Sequence, residues 1–430
     1  MKLSRSASVL LGSVITAAFI GPGTVTTCAR SGVEFGLVLL WTLTFATVAC
    51  FVLQDAVARL TDRTGQSLGR ALGRLFGVGA GGQLLLALVV GSVVLGCAAY
   101  QAGNLLGGTA GLELATGWPR LPLMIAAIGA AGALLASGRT RLVSGVLAAL
   151  VGIMGFAFLI VAVLLRPDLT ELAQGMVLPQ IPAGSLLLAL GLVGTTVVPY
   201  NLFLGSGLAE GQKSEELRFG LWVAIGLGGA ISMAIVVAGT AVRGPFSFEA
   251  VSAVLAARLG PWAGELFGWG LFAAGFSSAI TAPWAAAMAI KSAFAAGPDD
   301  PRFATSGWRW NVSWLAVLAV GAAFGLSGVK PVPVILLAQA ANGLILPIVA
   351  ASLWLSLADR QVMGEHRDRQ GAQIAVGLVV LITVLLGLKG LLGALAAASG
   401  VQSFESPSVF LAALAGAVGL LAWLRLRRAS

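Results

Sequence analysis

Two apolar stretches of this 430-residue chain are broken near their centres, at Gly21-Pro22-Gly23-Thr24 and at Val197-Val198-Pro199-Tyr200. Proline removes a backbone N–H and glycine weakens the helix around it, so polar backbone groups are freed in the middle of an apolar segment. In hydrocarbon such groups are tolerated only against protein or a water-filled cavity. Breaks at matching places in two halves mark a solute site near the bilayer midplane of a secondary transporter. The side chains beside the breaks are neutral: Thr24, Thr195, Tyr200 and Asn201, joined by Gln339 from a later stretch. Hydroxyls, an amide and freed carbonyls, among them those of Gly21 and Val198, bind through hydrogen bonds and dipoles rather than through net charge.

The elements that must position these residues are membrane helices. Hydrophobic residues make up 58% of the chain and charged ones 10%, with a mean hydropathy of +0.96. A soluble globule carries about 25% charged residues. Twelve apolar segments are expected, centred on 7–31, 36–58, 80–106, 121–137, 143–165, 183–208, 218–242, 263–294, 311–328, 333–357, 371–388 and 408–424. Most match the roughly 20 residues needed to span. The 58 glycines suit close helix packing, whereas barrel strands would alternate over about ten residues. The expected fold class is an all-α polytopic membrane protein, a single transmembrane domain over 1–430. Its first repeat of five helices covers 1–166, a second repeat of five covers 180–358, and two peripheral helices lie in 371–425. The polar stretches 59–78, 244–262, 296–310 and 359–370 are expected as loops.

The net charge of +9 points to membrane orientation rather than nucleic acid. With the N-terminus cytoplasmic, 19 of the 26 basic residues fall on the inner side, as the positive-inside rule requires, and both termini are cytoplasmic. Expected partners are membrane lipids and a transported solute, and a monomer is expected. Met1-Lys2-Leu3-Ser4-Arg5 before an apolar run resembles a secretory signal, but cleavage there would remove the first broken helix. Cys28, Cys50 and Cys97 all lie in apolar segments, as small buried hydrophobes rather than a disulfide framework. His366 sits in a charged loop. There is no P-loop, HExxH or paired-cysteine motif, and the chain is read as no enzyme.

Gly21-Pro22-Gly23-Thr24, followed by Gly32-Val33-Glu34-Phe35-Gly36 and Leu40-Trp41, resembles the Asp-Pro-Gly-Asn motif and its sequel in the Nramp metal-ion transporters. Thr195-Thr196-Val197-Val198-Pro199-Tyr200 is similar to the family's sixth-helix Ala-Thr-Val-Met-Pro-His. Ala273-Ala274-Gly275-Phe276-Ser277-Ser278-Ala279-Ile280-Thr281 resembles its eighth-helix motif, and Gln339 falls where the tenth helix carries a cavity glutamine. The resemblance implies a LeuT-type 5+5 inverted repeat with unwound helices 1 and 6, working by alternating access. Gly21 stands where the family has its metal-binding aspartate, Thr24 its asparagine, Val198 its methionine, and Tyr200 and Gly205 its two histidines. The acidic residue early in the third helix is also missing, since Val89 to Val94 carries no charge. This combination is similar to the divergent Nramp-related magnesium transporters, which the resemblance implies carry Mg²⁺ and Mn²⁺ as substrates, with no cofactor and no proton coupling.

Chemistry agrees with that implication. A thioether selects softer transition metals, and a carboxylate replaces part of an ion's hydration shell. Loss of both leaves a wider, neutral cavity, which suits Mg²⁺ because that ion dehydrates reluctantly and keeps several waters. Thr24, Thr195, Gln339 and the Gly21 carbonyl would then hold the metal weakly, through water. A carrier of an organic solute, an amino acid or an amine, is the alternative, with the N–H groups of the first half-helix holding a carboxylate. Asp55, next to Gln54, either draws cations into the inner vestibule or pairs with Arg59 one turn on. Tyr100, Gln101 and Asn104 either line the pathway or bridge helices. Ser277, Ser278 and Thr281 either face solute or bond the preceding turn.

Overall fold

The computed structural model describes residues 20–137, 141–297 and 300–399. Among them every regular element is helical: α1 (Pro22–Phe35), α2 (Leu40–Thr64), α3 (Leu68–Phe76), α4 (Ala80–Thr116), α5 (Arg120–Ser137), α6 (Arg141–Leu164), α7 (Leu169–Val177), α8 (Leu186–Thr196), α9 (Pro199–Ala209), α10 (Ser214–Thr240), α11 (Phe248–Leu259), α12 (Pro261–Phe294), α13 (Trp308–Leu326), α14 (Pro331–Ala358), α15 (Arg360–Met363) and α16 (Gln370–Ser399). Nine spans among the described residues are long and apolar enough to cross a membrane, counting α8 and α9 as one broken span. They coincide with nine of the twelve expected segments. Segment five is the 24-residue α6. The first half of segment one, segment twelve and both chain termini lie outside the described residues.

Four connections expected as loops or left unassigned hold the short helices α3, α7, α11 and α15, because local chemistry favours them. In α3 the buried Leu68, Ala71, Leu72 and Leu75 repeat at helical spacing and line one face. The Asp168 carboxylate opens α7 by accepting from the backbone N–H of Thr170 and Glu171, at 2.7 and 3.0 Å. The Ser247 hydroxyl does the same for α11, accepting from Ala250 N–H. Gly65 ends α2 in the left-handed region at φ 64°, where its N–H donates to the Thr61 carbonyl.

The core is built by close approach of helices. The most extensive contact is between α4 and α12, and it runs through glycine: Gly108 faces Gly275, and Gly111 faces Gly268. Without side chains at these positions, two backbones meet and disperse against each other directly, which is how helices associate where lipid is as apolar as leucine. In the same way α8 meets α14 at Gly194 and Gly343. The broken elements α1 and α8–α9 are thus wrapped by α4, α10, α12 and α14. Large apolar side chains such as Leu84, Leu88 and Leu95 on α4 face outward, a surface suited to acyl chains. Cys28, Cys50 and Cys97 are free and buried.

Candidate functional site

Both breaks have a definite geometry. Gly21 is extended (φ −115°, ψ −177°) and α1 starts at Pro22, whose missing N–H costs nothing at a helix start. The N–H groups of Gly23 and Thr24 then belong to the first turn, where donors have no partner four residues earlier within the helix. On the other side α8 stops at Thr196, Val197 and Val198 leave helical angles (ψ 80° and 121°), and α9 restarts at Pro199. The Thr195 carbonyl loses its helical donor because residue 199 is proline. The Gly194 carbonyl is instead taken by the Tyr100 hydroxyl, which donates to it at 3.1 Å.

Between these ends a neutral polar cluster assembles. Thr24 Oγ1 and Thr195 Oγ1 hydrogen bond directly at 2.8 Å, joining the two broken helices across 171 positions of sequence. The Gln339 amide lies against the Cα of Gly23, a place no Cβ could share. Asn342, one turn further along α14, presents its amide beside the Tyr100 hydroxyl together with Thr195 and Gln339. Tyr200 packs edge-on against Tyr100 with ring centroids 5.8 Å apart. Thr24, Thr195, Val198, Tyr200, Asn201 and Gln339 are at most 2% exposed, so the cluster is buried. The wider cavity expected from the loss of two large side chains is accordingly closed up, with threonine on threonine and amide on glycine.

The remaining sequence-predicted residues divide into those that join the cluster and those that do not. Asn104 and Ser278 join it from α4 and α12, opposite Gly21: a methyl group added at Gly21 would stand 3.2 Å from Ser278 Oγ and 3.8 Å from Asn104 Oδ1. Gln101 does not: its Nε2 donates to the Ala279 carbonyl and its stem packs on Gly321, so it bridges helices. Ser277 and Thr281 donate to the carbonyls of Ala274 and Ser277, in the preceding turn. Sequence reasoning missed Asn342, although its spacing of three from Gln339 puts both amides on one face of α14.

Gln54 and Asn201, with Asp55 next to Gln54 in sequence, belong to a second region between α2 and α9. Gln54 Nε2 donates to the Asn201 carbonyl at 3.1 Å, while both polar atoms of the Asn201 side chain have no partner among the described residues. The Asp55 carboxylate pairs with Arg59 and with Arg218 Nε at 2.8 Å, and Arg59 and Arg63 both pair with Asp368, at 3.0 and 2.6 Å. Asp55 therefore has two guanidinium partners, Arg59 one turn on and Arg218 on α10. Ser206 Oγ adds to this end by accepting from Leu68 N–H at 2.7 Å and bonding Thr61 Oγ1 at 2.9 Å, which fastens α9 to α2 and α3.

Among the described residues, no three His, Cys, Asp or Glu side chains come together as a metal-ligand group. Any cation in the central site would meet hydroxyl, amide and carbonyl oxygens only.

Comparison with known proteins places this architecture. The chain is 31% identical over 391 residues to a protein named divalent metal cation transporter MntH from Verminephrobacter eiseniae, covering 85% of each chain. It is 28% identical over 409 residues to the MntH of Acidiphilium cryptum, covering 88% and 89%. A point mutant of the manganese transporter of Eremococcus coleocola superimposes with a TM-score of 0.70 at 19% identity, over 96% of this chain and 93% of that one. A nucleobase-cation-symport-1 family transporter superimposes at 0.57 with 17% identity, over 98% and 92%. These overlaps establish the LeuT-type fold. The family model described as natural resistance-associated macrophage protein-like matches residues 12–393, and the chain belongs to the Nramp family of membrane transporters.

Proposed function

We propose that this protein moves divalent cations, Mg²⁺ in hydrated form and Mn²⁺, through the site between α1, α8 and α14. Transport is by alternating access, driven by the membrane potential and without proton coupling. The observation that carries this reading is the neutral ligand set: a Thr24–Thr195 hydroxyl pair and the Gln339 amide at the two helix breaks, with glycine at position 21. Relatives bearing the name divalent metal cation transporter supply the substrate class. Hydrogen-bonding groups without charge suit an ion that keeps its water, and Mg²⁺ keeps it most firmly. A dication in such a site is costly, and retained water together with carbonyls at the half-helix end of α8 offsets part of that cost.

Proton coupling needs a group that titrates in the pathway. Among the described residues the cluster around Thr24 holds no Asp, Glu or His, and the Asp55 carboxylate is engaged by Arg59 and Arg218. By the positive-inside rule the end bearing Arg59, Arg63 and Arg218 is cytoplasmic, with both termini on that side of a bacterial-type plasma membrane.

A carboxylate-bearing organic solute is the second reading. The N–H groups of the first α1 turn and the unpartnered Asn104 Nδ2 are donors, which suit an anionic group. Uptake into proteoliposomes under an imposed inside-negative potential, with an internal pH dye, tests both. Influx of Mg²⁺ and Mn²⁺ without acidification is expected. Acidification that tracks influx would sink the uncoupled mechanism, and no influx of either ion would turn the assignment to organic solutes.

A further inference from the structure

We infer that Asn104 and Ser278 are solute-binding residues that set selectivity for an ion retaining its water, an inference that rests on the hydrated-cation reading above. Three observations converge on them. Both side chains are buried, at 3% and 2% exposure. Ser278 Oγ and Asn104 Nδ2 have no hydrogen-bond partner among the described residues. Both face the narrow notch left by the missing side chain at Gly21, with Ser278 Oγ and Asn104 Oδ1 3.2 and 3.8 Å from where a Cβ would be.

Buried polar atoms left unpaired cost free energy, and a native structure keeps them where a ligand or water completes them. The neighbouring hydroxyls illustrate the contrast. Ser277 and Thr281, on the same helix, spend their protons on carbonyls of the preceding turn, as helical serine and threonine usually do. Ser278 does not, and the glycine seam between α4 and α12 brings it beside Asn104. The atoms aimed at the notch are a hydroxyl oxygen and an amide oxygen, which accept hydrogen bonds. A metal-bound water is polarised towards donating, so these acceptors fit the rim of a hydration shell, with Asn104 Nδ2 left for a further water. The residue pair lies at Gly21 and Gln339 at Gly23, two positions on, so a hydrated ion would meet both once the cluster parts.

The test uses the full chain in proteoliposomes, with KM for Mg²⁺ and Mn²⁺ measured on Ser278→Ala, Asn104→Ala, Asn104→Asp and Ser277→Ala. Loss of one hydrogen bond to a retained water is expected to raise KM for Mg²⁺ about three- to tenfold in each alanine variant. Mn²⁺, which sheds water more readily, is expected to change less, so the Mg²⁺/Mn²⁺ preference shifts. Asn104→Asp places an anion at the notch and is expected to lower KM for both ions, a gain that a residue serving only to pack helices would not give. Ser277→Ala is expected to match wild type. An unmoved Mg²⁺/Mn²⁺ ratio in Ser278→Ala, with KM unchanged in Asn104→Asp, overturns the inference while leaving hydrated-cation transport in place. A wild-type protein that carries neither ion overturns both.

Discussion

The cluster around Thr24 and the belt around Arg59 are both buried and polar, yet they are built on opposite principles. In the belt two carboxylates are each paired twice: Asp55 with Arg59 and Arg218, Asp368 with Arg59 and Arg63. In the cluster there is no formal charge, and Ser278 Oγ, Asn104 Nδ2, Gln339 Oε1 and Asn342 Nδ2 are left without partners among the described residues. Charges withdrawn from water are tolerated when opposite charges and hydrogen bonds satisfy them, which makes the belt a structural clasp. Neutral groups left unsatisfied are the mark of a place kept for something else. If this contrast is right, substitutions in the belt should act first on stability and those in the cluster on transport.

The largest effect on stability is expected from Arg59→Met. It leaves Asp55 with only the half-exposed Arg218 and Asp368 with only Arg63. A destabilisation of about 3 kcal/mol, at the lower end for breaking a buried pair, should appear as a fall in the melting temperature of the detergent-solubilised protein. A melting temperature unchanged from wild type would erase the distinction between clasp and site.

Gly194→Ala probes the frame that holds the cluster. A Cβ there would run into the Gln339 carbonyl and approach Gly343 N at 2.5 Å, so α8 and α14 would have to separate. Backbone atoms cannot rotate away as a side chain can. The expected cost is about 2 kcal/mol, with Mg²⁺ uptake reduced as well, because the displaced segment carries Thr195 and Gln339. Wild-type uptake in this variant would show that the α8–α14 contact does not position the site.

Much of the fold was legible from hydropathy, because twenty apolar residues in lipid admit little besides a helix. The two breaks were legible for the same reason, since Pro22 and Pro199 sit where a continuous helix would otherwise run. What lay beyond reach depends on partners far away in sequence. Asp55 could be matched with Arg59 one turn on, but its second partner is 163 positions away, and Arg59 reaches Asp368 across 309. Which of Ser277 and Ser278 would face the cluster also depended on the rotation of α12, which the α4 glycines fix and no local pattern reveals. Asn342 was different: its spacing from Gln339 was a usable signal, overlooked because the motif ended at the glutamine.

Thr24→Val sharpens the contrast from the cluster side. The valine keeps the volume but removes the hydroxyl that bonds Thr195 at 2.8 Å. The expected loss of stability is about 1 kcal/mol, the net worth of one buried hydrogen bond, with uptake of Mg²⁺ falling several-fold. Here the transport defect should exceed the stability defect, the reverse of Arg59→Met. Equal ranking of the two variants in both measurements would mean that the regions do not divide the work.

The smallest effect is expected outside both regions, at the cap of α7, which serves as a control on the electrostatic argument. The backbone N–H groups of Glu171 and Thr170 hold the Asp168 carboxyl below its usual 3.8. A carboxylate with a depressed folded value contributes stability that is complete above the unfolded value and lost as pH falls through the folded one. Asp168→Asn keeps a capping oxygen but cannot titrate, and asparagine caps about as well as aspartate. The two proteins should therefore match in amide exchange at Thr170 and Glu171 at neutral pH. They should separate only on the acid side of pH 3.8, where the wild-type cap weakens and the asparagine cap does not. A difference at neutral pH would instead mean that the negative charge itself, acting on the α7 dipole, matters more than the hydrogen bonds.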